Sequence, residues 1–116
     1  NKALVLEYTK QVRQEGDLSK LDQFVAEDLI QHAAPIAAGR SGLGDWLGSE
    51  AAGSYDMLFQ LLGQGDFVVT YSKRTAQDQE VAAFDLYRVA GGKIVEHWMN
   101  EETISPREAW GNSGKF

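Results

Sequence analysis

FDLYRVAGGKIVEHWMNEE, residues 84–102, decides how the chain folds. Alternating apolar and polar residues on either side of a glycine pair describe two antiparallel strands joined by a tight turn. Within it Asp85 and His97 stand among apolar neighbours, and both residue types need a partner when they leave water. A two-residue Gly91-Gly92 turn would pair Ala90 with Lys93 and set Asp85 opposite Trp98. A three-residue turn over Ala90, Gly91 and Gly92, with Gly92 left-handed in a bulge, would pair Val89 with Lys93 and set Asp85 opposite His97. Side-chain alternation favours the second register. It groups Ala83, Asp85 and Tyr87 with Val95, His97 and Met99 on one face, and Phe84, Leu86 and Arg88 with Ile94, Glu96 and Trp98 on the other. Asp85 and His97 are then either a proton-transfer pair in a pocket or a cross-strand ion pair on a solvated face.

Working outward, strand-like alternation begins at Tyr55: YDMLFQLLGQ, DFVVTYSKRT, EVAAFDLYRV and KIVEHWMNEE are separated by short polar or glycine-containing links, which predicts a four-stranded antiparallel meander. Upstream, Leu4, Val5, Tyr8 and Val12 recur at helical spacing and Gly16-Asp17 ends the run. DLSKLDQFVAEDL, residues 17–29, predicts a second helix with Leu18, Leu21, Phe24 and Val25 on one face and Asp17 or Ser19 as its cap. LIQHAAP breaks the helical period at Pro35, and Leu43, Trp46 and Leu47 predict one short helix capped by Ser41. Helices followed by a sheet give an α+β domain, residues 1–116, in which the helices cover one sheet face. The polar C-terminal segment carries Trp110 and Phe116 and is expected to dock on the sheet or on a partner.

Composition narrows the function. The chain has 116 residues, 43% hydrophobic, 24% charged and 10% aromatic, enough for one core. A net charge of −6 with scattered Lys and Arg speaks against nucleic acid. No apolar run reaches membrane-span length. Without cysteine there is no disulfide, thiolate metal site or cysteine nucleophile. No signal peptide is visible at the start, and the default location is the cytoplasm.

The helical hairpin, LIQH-AAP, GRSGL and, most specifically, D-x-Y-R-x-x-x-G-K-I-V-E-H-W together resemble the SnoaL-like polyketide cyclase group of the nuclear transport factor 2-like (NTF2-like, cystatin-like) superfamily. The resemblance spans nearly the whole chain. It implies a cone-shaped half-barrel, with helices packed in a strongly curved antiparallel sheet around a deep pocket, and homodimers through the outer sheet face, here Phe84, Leu86 and Trp98. It implies a small-molecule ligand and acid/base chemistry next to a carbonyl, as in aldol cyclases and isomerases, without metal or organic cofactor. Other members of the group only bind or assemble, and that remains the alternative.

Carried over onto this chain, the resemblance marks His32 with Gln31, Asp85 and His97. Related sequences commonly read EHWD where this one reads EHWMN, so Met99 stands where a carboxylate is often found. Asp85 or His97 would then abstract a proton α to a carbonyl, and His32 or Gln31 would donate to the enolate oxygen. Trp46, Phe59, Tyr71, Tyr87 and Met99 are candidates for the apolar wall, with plain core packing as the competing role for each. His32, Asp85 and His97 also make a two-histidine, one-carboxylate set. They come from distant segments without local ligand spacing, so no metal is expected.

Overall fold

The computed structural model describes residues 1–116. Helix α1 (Lys2–Tyr8) buries Val5 and Tyr8 and runs on into a π-helical stretch, Thr9–Gln14, that buries Thr9 and Val12. Here the backbone closes over five residues, as where Glu15 N–H donates to the Lys10 carbonyl at 2.9 Å. In an unbroken α-helix five steps of 100° would leave Arg13 about 140° round from Tyr8. The wider turn brings it back toward the buried side.

Beyond Gly16, the Asp17 carboxylate accepts from Ser19 N–H at 3.2 Å and caps a 3-10 turn, Leu18–Lys20, that leads into α2 (Leu21–Phe24). The helix expected over residues 17–29 is therefore much shorter. At Val25 the backbone becomes extended, and strand β1 (Val25–Gln31) runs parallel to the last strand of the sheet, pairing Gln31 with His97. The physical reason is the sheet edge: without β1 the last strand would present a row of unpaired backbone groups. Helix α3 (Gly39–Leu47) buries Leu43 and Trp46. Ala38 precedes it without a side-chain cap, and Ser41 lies inside the helix rather than capping it.

Strands β2 (Ser54–Gln64), β3 (Phe67–Ala76), β4 (Gln79–Ala90) and β5 (Lys93–Thr103) form the expected meander. With β1 they make a five-stranded curved sheet in the order β1-β5-β4-β3-β2, and the fold is α+β. Two bulges in β2, at Asp56 and Phe59, and one in β5 at Val95 supply the curvature. Val5, Tyr8, Val12, Phe24 and Trp46 from the helices meet Val68, Tyr87, Val89 and Ile94 in one core cluster of 16 buried residues. No helix is long and apolar enough to cross a membrane.

The β4-β5 register corrects the sequence reading. Gly91 and Gly92 both have positive φ, 58° and 74°, so the turn has two residues and pairs Ala90 with Lys93. The bulge then moves the pairing on by one: Val89 faces Ile94, Arg88 faces Glu96, Tyr87 faces His97 and Asp85 faces Met99. Ile94 thus joins the buried face, and Phe84 lies opposite Asn100 rather than Trp98. The C-terminal segment docks on the sheet, where the Phe116 ring stacks on Tyr71 at 4.8 Å and Tyr71 Oη–H donates to the Lys115 carbonyl at 3.0 Å.

The approach of α3 to the sheet rests on Gly53, whose φ is +63° and whose absent Cβ would lie 1.9 Å from the Thr75 carbonyl oxygen. Gly53→Ala is expected to destabilise the fold by about 2–3 kcal/mol, because strain and a backbone clash fall together. Urea unfolding of the two proteins measures it.

Candidate functional site

The inner face of the sheet carries a chain of hydrogen bonds that begins at β1. Ala33 N–H donates to Gln31 Oε1 at 3.0 Å, and the same oxygen lies 2.9 Å from His97 Nδ1. A backbone N–H only donates, so the Gln31 amide cannot be reversed and Nδ1 must carry a hydrogen. His97 Nε2 is 2.7 Å from Asp85 Oδ1. Between them these two atoms hold one proton, and the pair is either imidazolium with carboxylate or neutral imidazole with carboxylic acid. Both forms have the same total charge. Asp85 and His97 are 1% and 2% exposed. They meet diagonally across β4 and β5 instead of face to face, because the register shift keeps both on the inner side.

Burial alone would raise the Asp85 pKa, but it is outweighed by the His97 hydrogen bond and by the charges of His97, Arg13 and Arg74, which together hold the carboxyl below its ordinary value. Around it stand three phenols kept protonated. Burial pushes Tyr8 up to about 12 and raises Tyr55 and Tyr87, and the charge of Asp85 adds to each rise. Tyr87 stacks on the His97 ring at 5.0 Å and meets Tyr8 edge-on at 5.9 Å. These contacts fix the imidazole in one plane.

Several buried polar atoms in this region have no partner within the protein: Asp85 Oδ2, Gln31 Nε2, Thr70 Oγ1, Trp46 Nε1, and Nε and Nη1 of Arg74. Native interiors leave few such atoms, and a cluster on one face calls for an explanation. A cleft of about 190 Å³, lined in part by Val12, Arg13, Leu47, Ala52 and Tyr55, opens beside this region. Arg13 lies against Tyr55, with Cζ 4.7 Å from the ring centroid, and its charge reaches Asp85.

The residues singled out from the sequence divide between the two faces. Asp85, His97 and Gln31 are brought together, with Tyr87 against His97, Met99 opposite Asp85, and Trp46 buried beneath α3. His32 is not with them. It lies on the outer face, its Nε2 2.6 Å from Glu96 Oε2 and its ring stacked on Trp98 at 4.6 Å. Successive residues of an extended strand point to opposite faces, so Gln31 and His32 cannot share a pocket. A three-ligand metal set of His32, Asp85 and His97 therefore does not converge. Phe59 and Tyr71 are also on the outer face, Phe59 turned out by its bulge and Tyr71 stacked on Phe84 at 4.2 Å.

Sequence reading missed Arg13, Arg74, Tyr8, Tyr55 and Thr70 as members of this cluster. Arg74 had a legible signal: Val68, Thr70, Ser72 and Arg74 alternate along β3 and all are buried. Arg13 had none, since only the π-helical turn turns it inward.

A family model for the SnoaL-like domain matches residues 5–97, and the chain belongs to that family. No functionally curated protein matches it by sequence. Among solved structures, a proposed ketosteroid isomerase from Kribbella flavida superimposes with TM-score 0.78 at 15% identity over 98% of this chain and 90% of that one. IdmH, a proposed polyketide cyclase from Streptomyces antibioticus, gives TM-score 0.66 at 22% identity over 88% and 92%. A proposed polyketide cyclase from Acidithiobacillus ferrooxidans gives 0.69 at 17% over 88% and 89%. The fold is NTF2-like.

Because the Asp85 pKa is lowered in the folded state, its ionisation stabilises the fold above the unfolded value, about 3.9, and that stability is lost as pH falls through the folded value. Asp85→Asn is expected to cost about 1–3 kcal/mol at neutral pH. The difference from wild type should shrink below about pH 4. Urea midpoints of both proteins from pH 2.5 upward test the sign.

Proposed function

We propose that this protein binds a small, partly apolar carbonyl compound on the inner sheet face and moves a proton next to its carbonyl, using the Asp85-His97 pair without metal or organic cofactor. The observation that carries the reading is Asp85 itself: a fully buried carboxylate with one oxygen on His97 and the other without a partner. Oδ2 takes a substrate C–H proton, the C–H electron pair becomes the enolate, and His97 keeps its charge against the carboxyl group while this happens. Gln31 Nε2, one imidazole away and also unpartnered, donates to the developing enolate oxygen. That is the role the sequence offered to His32 or Gln31.

The lowered pKa limits the chemistry. A weakened base suits a C–H that is already acidic, such as one flanked by two carbonyls, rather than that of a simple ketone. Met99 opposite Asp85 leaves Asp85 as the carboxylate of the site. Hydrogen-deuterium exchange at the central carbon of pentane-2,4-dione is expected to be accelerated by wild type, with the acceleration reduced at least about 100-fold in Asp85→Asn. Exchange undiminished in that variant would sink the proton-transfer reading, and no acceleration by wild type would favour the binding-only alternative.

The outer face supports a second reading, assembly as a homodimer. Phe84 is 52% exposed, Phe59 47% and Phe67 42%. With Leu86, Trp98 and Tyr71 they form a continuous apolar and aromatic surface of the kind that marks a protein contact. Sedimentation equilibrium at micromolar concentration is expected to give a dimer that Phe84→Glu converts to monomer. A monomeric wild type would exclude this assembly.

A further inference from the structure

The end of the inner face away from Gln31 has a different chemistry, dominated by two arginines on one indole. Arg74 is 3% exposed, and its Cζ lies 5.2 Å from the Trp46 ring centroid. Arg13 Cζ lies 5.8 Å from the same ring and lines the cleft. Arg74 Nη2 is paired with Glu101, while its Nε and Nη1, like Trp46 Nε1, are buried without an acceptor. Three buried N–H donors without an acceptor, on two side chains packed against each other, can receive an oxygen anion.

Charge counting gives the same sign. The cations are Arg13, Arg74 and, when it holds the shared proton, His97; the carboxylates paired to them are Glu101 on Arg74 and Asp85 on His97. Moving the shared proton to Asp85 removes one cation and one anion together. Either way Arg13 is left over, without an ion pair, as one surplus positive charge. An unpaired charge held partly out of water is costly, and a ligand of the opposite sign relieves that cost.

Building on the proton-transfer reading, we propose that the ligand is a small organic monoanion, an oxo acid whose carboxylate is received by Arg74, Arg13 and the Trp46 indole N–H while its acidic C–H faces Asp85 Oδ2. One surplus charge matches a carboxylate better than a phosphate, which carries nearer two at neutral pH. Length is also set. Arg74 pairs with Val81, four residues along β4 from Asp85, so the two ends of the site are roughly 13 Å apart at the backbone. The arginine side chain shortens that span to the reach of a small molecule.

The Trp46 indole N–H is a built-in reporter. In ¹H–¹⁵N spectra, assigned by loss of one indole peak in Trp46→Phe, 4-oxopentanoate and benzoate are expected to shift it saturably. The amides 4-oxopentanamide and benzamide should bind at least about tenfold more weakly. Arg13→Gln and Arg74→Gln should each remove that preference. If Arg74→Gln fails to fold, Arg13→Gln and the wild-type comparison of acid with amide still decide. Carboxylates that leave the Trp46 peak unmoved, amides that bind equally well, or a preference that survives both substitutions would overturn the proposal. Deuterium exchange that depends on Asp85 without any preference for carboxylates would leave the proton-transfer reading standing and remove this one; carboxylate preference without exchange would remove the proton-transfer reading and the C–H facing Asp85, and keep the carboxylate receptor alone.

Discussion

A carboxylate in the middle of an apolar half-barrel is the constraint around which this molecule is arranged. Asp85 sits on the inner face of β4, opposite Met99 and among residues that exclude water. Left alone, such a group would be costly in its charged form and would take up a proton. Here four independent segments answer it. β5 supplies His97, β1 supplies the Gln31 that orients His97, α1 supplies Arg13 through its π-helical end, and β3 supplies Arg74. Removing any one changes the proton balance of the rest, because the segments share one buried electrostatic network.

Curvature makes that convergence geometrically available. A flat sheet would hold Arg74 and His97 side by side along parallel normals without converging, whereas the bulges in β2 and β5 bend the strands around the helices. The extra residue at Val95 does two things at once. It bends β5, and it moves the β4-β5 pairing on by one, so that Ile94 and His97 both face inward although they are an odd number of positions, three, apart. The parallel addition of β1 then closes the edge of β5 and puts Gln31 beside His97.

The two faces of the sheet do different work. Inside, titratable groups are locked in fixed orientations by stacking and hydrogen bonds, and the polar atoms left without partners collect there. Outside, His32, Glu96 and Arg88 form an open ion-pair network next to the stacked rings of Tyr71, Phe84 and Phe116. Strand alternation explains why neighbours in sequence such as Gln31 and His32 belong to different faces. It also explains why His32, which the motif groups with Asp85 and His97, lies on the opposite face from them.

By itself the sequence determined the α+β class, four of the strands to within a residue or two and the SnoaL-like family; it set Asp85 directly opposite His97, a register that the structure replaces with a diagonal contact. Those features rest on local periodicity, on turn residues and on a motif contained within 15 residues, all of which the chain carries in one dimension. Tertiary structure decided the rest. The register of β4 on β5 depended on a bulge that follows from sheet curvature, not from Gly91 and Gly92. β1 became a strand because β5 had an open edge, a demand that no window around Val25 could express. Phe59 went outside because β2 bulges, Tyr71 because it alternates with the buried Thr70 and Ser72 along β3, and Arg13 went inside because one helix closes over five residues instead of four. A local pattern states which side chains share a face; only the bent sheet determines which faces meet.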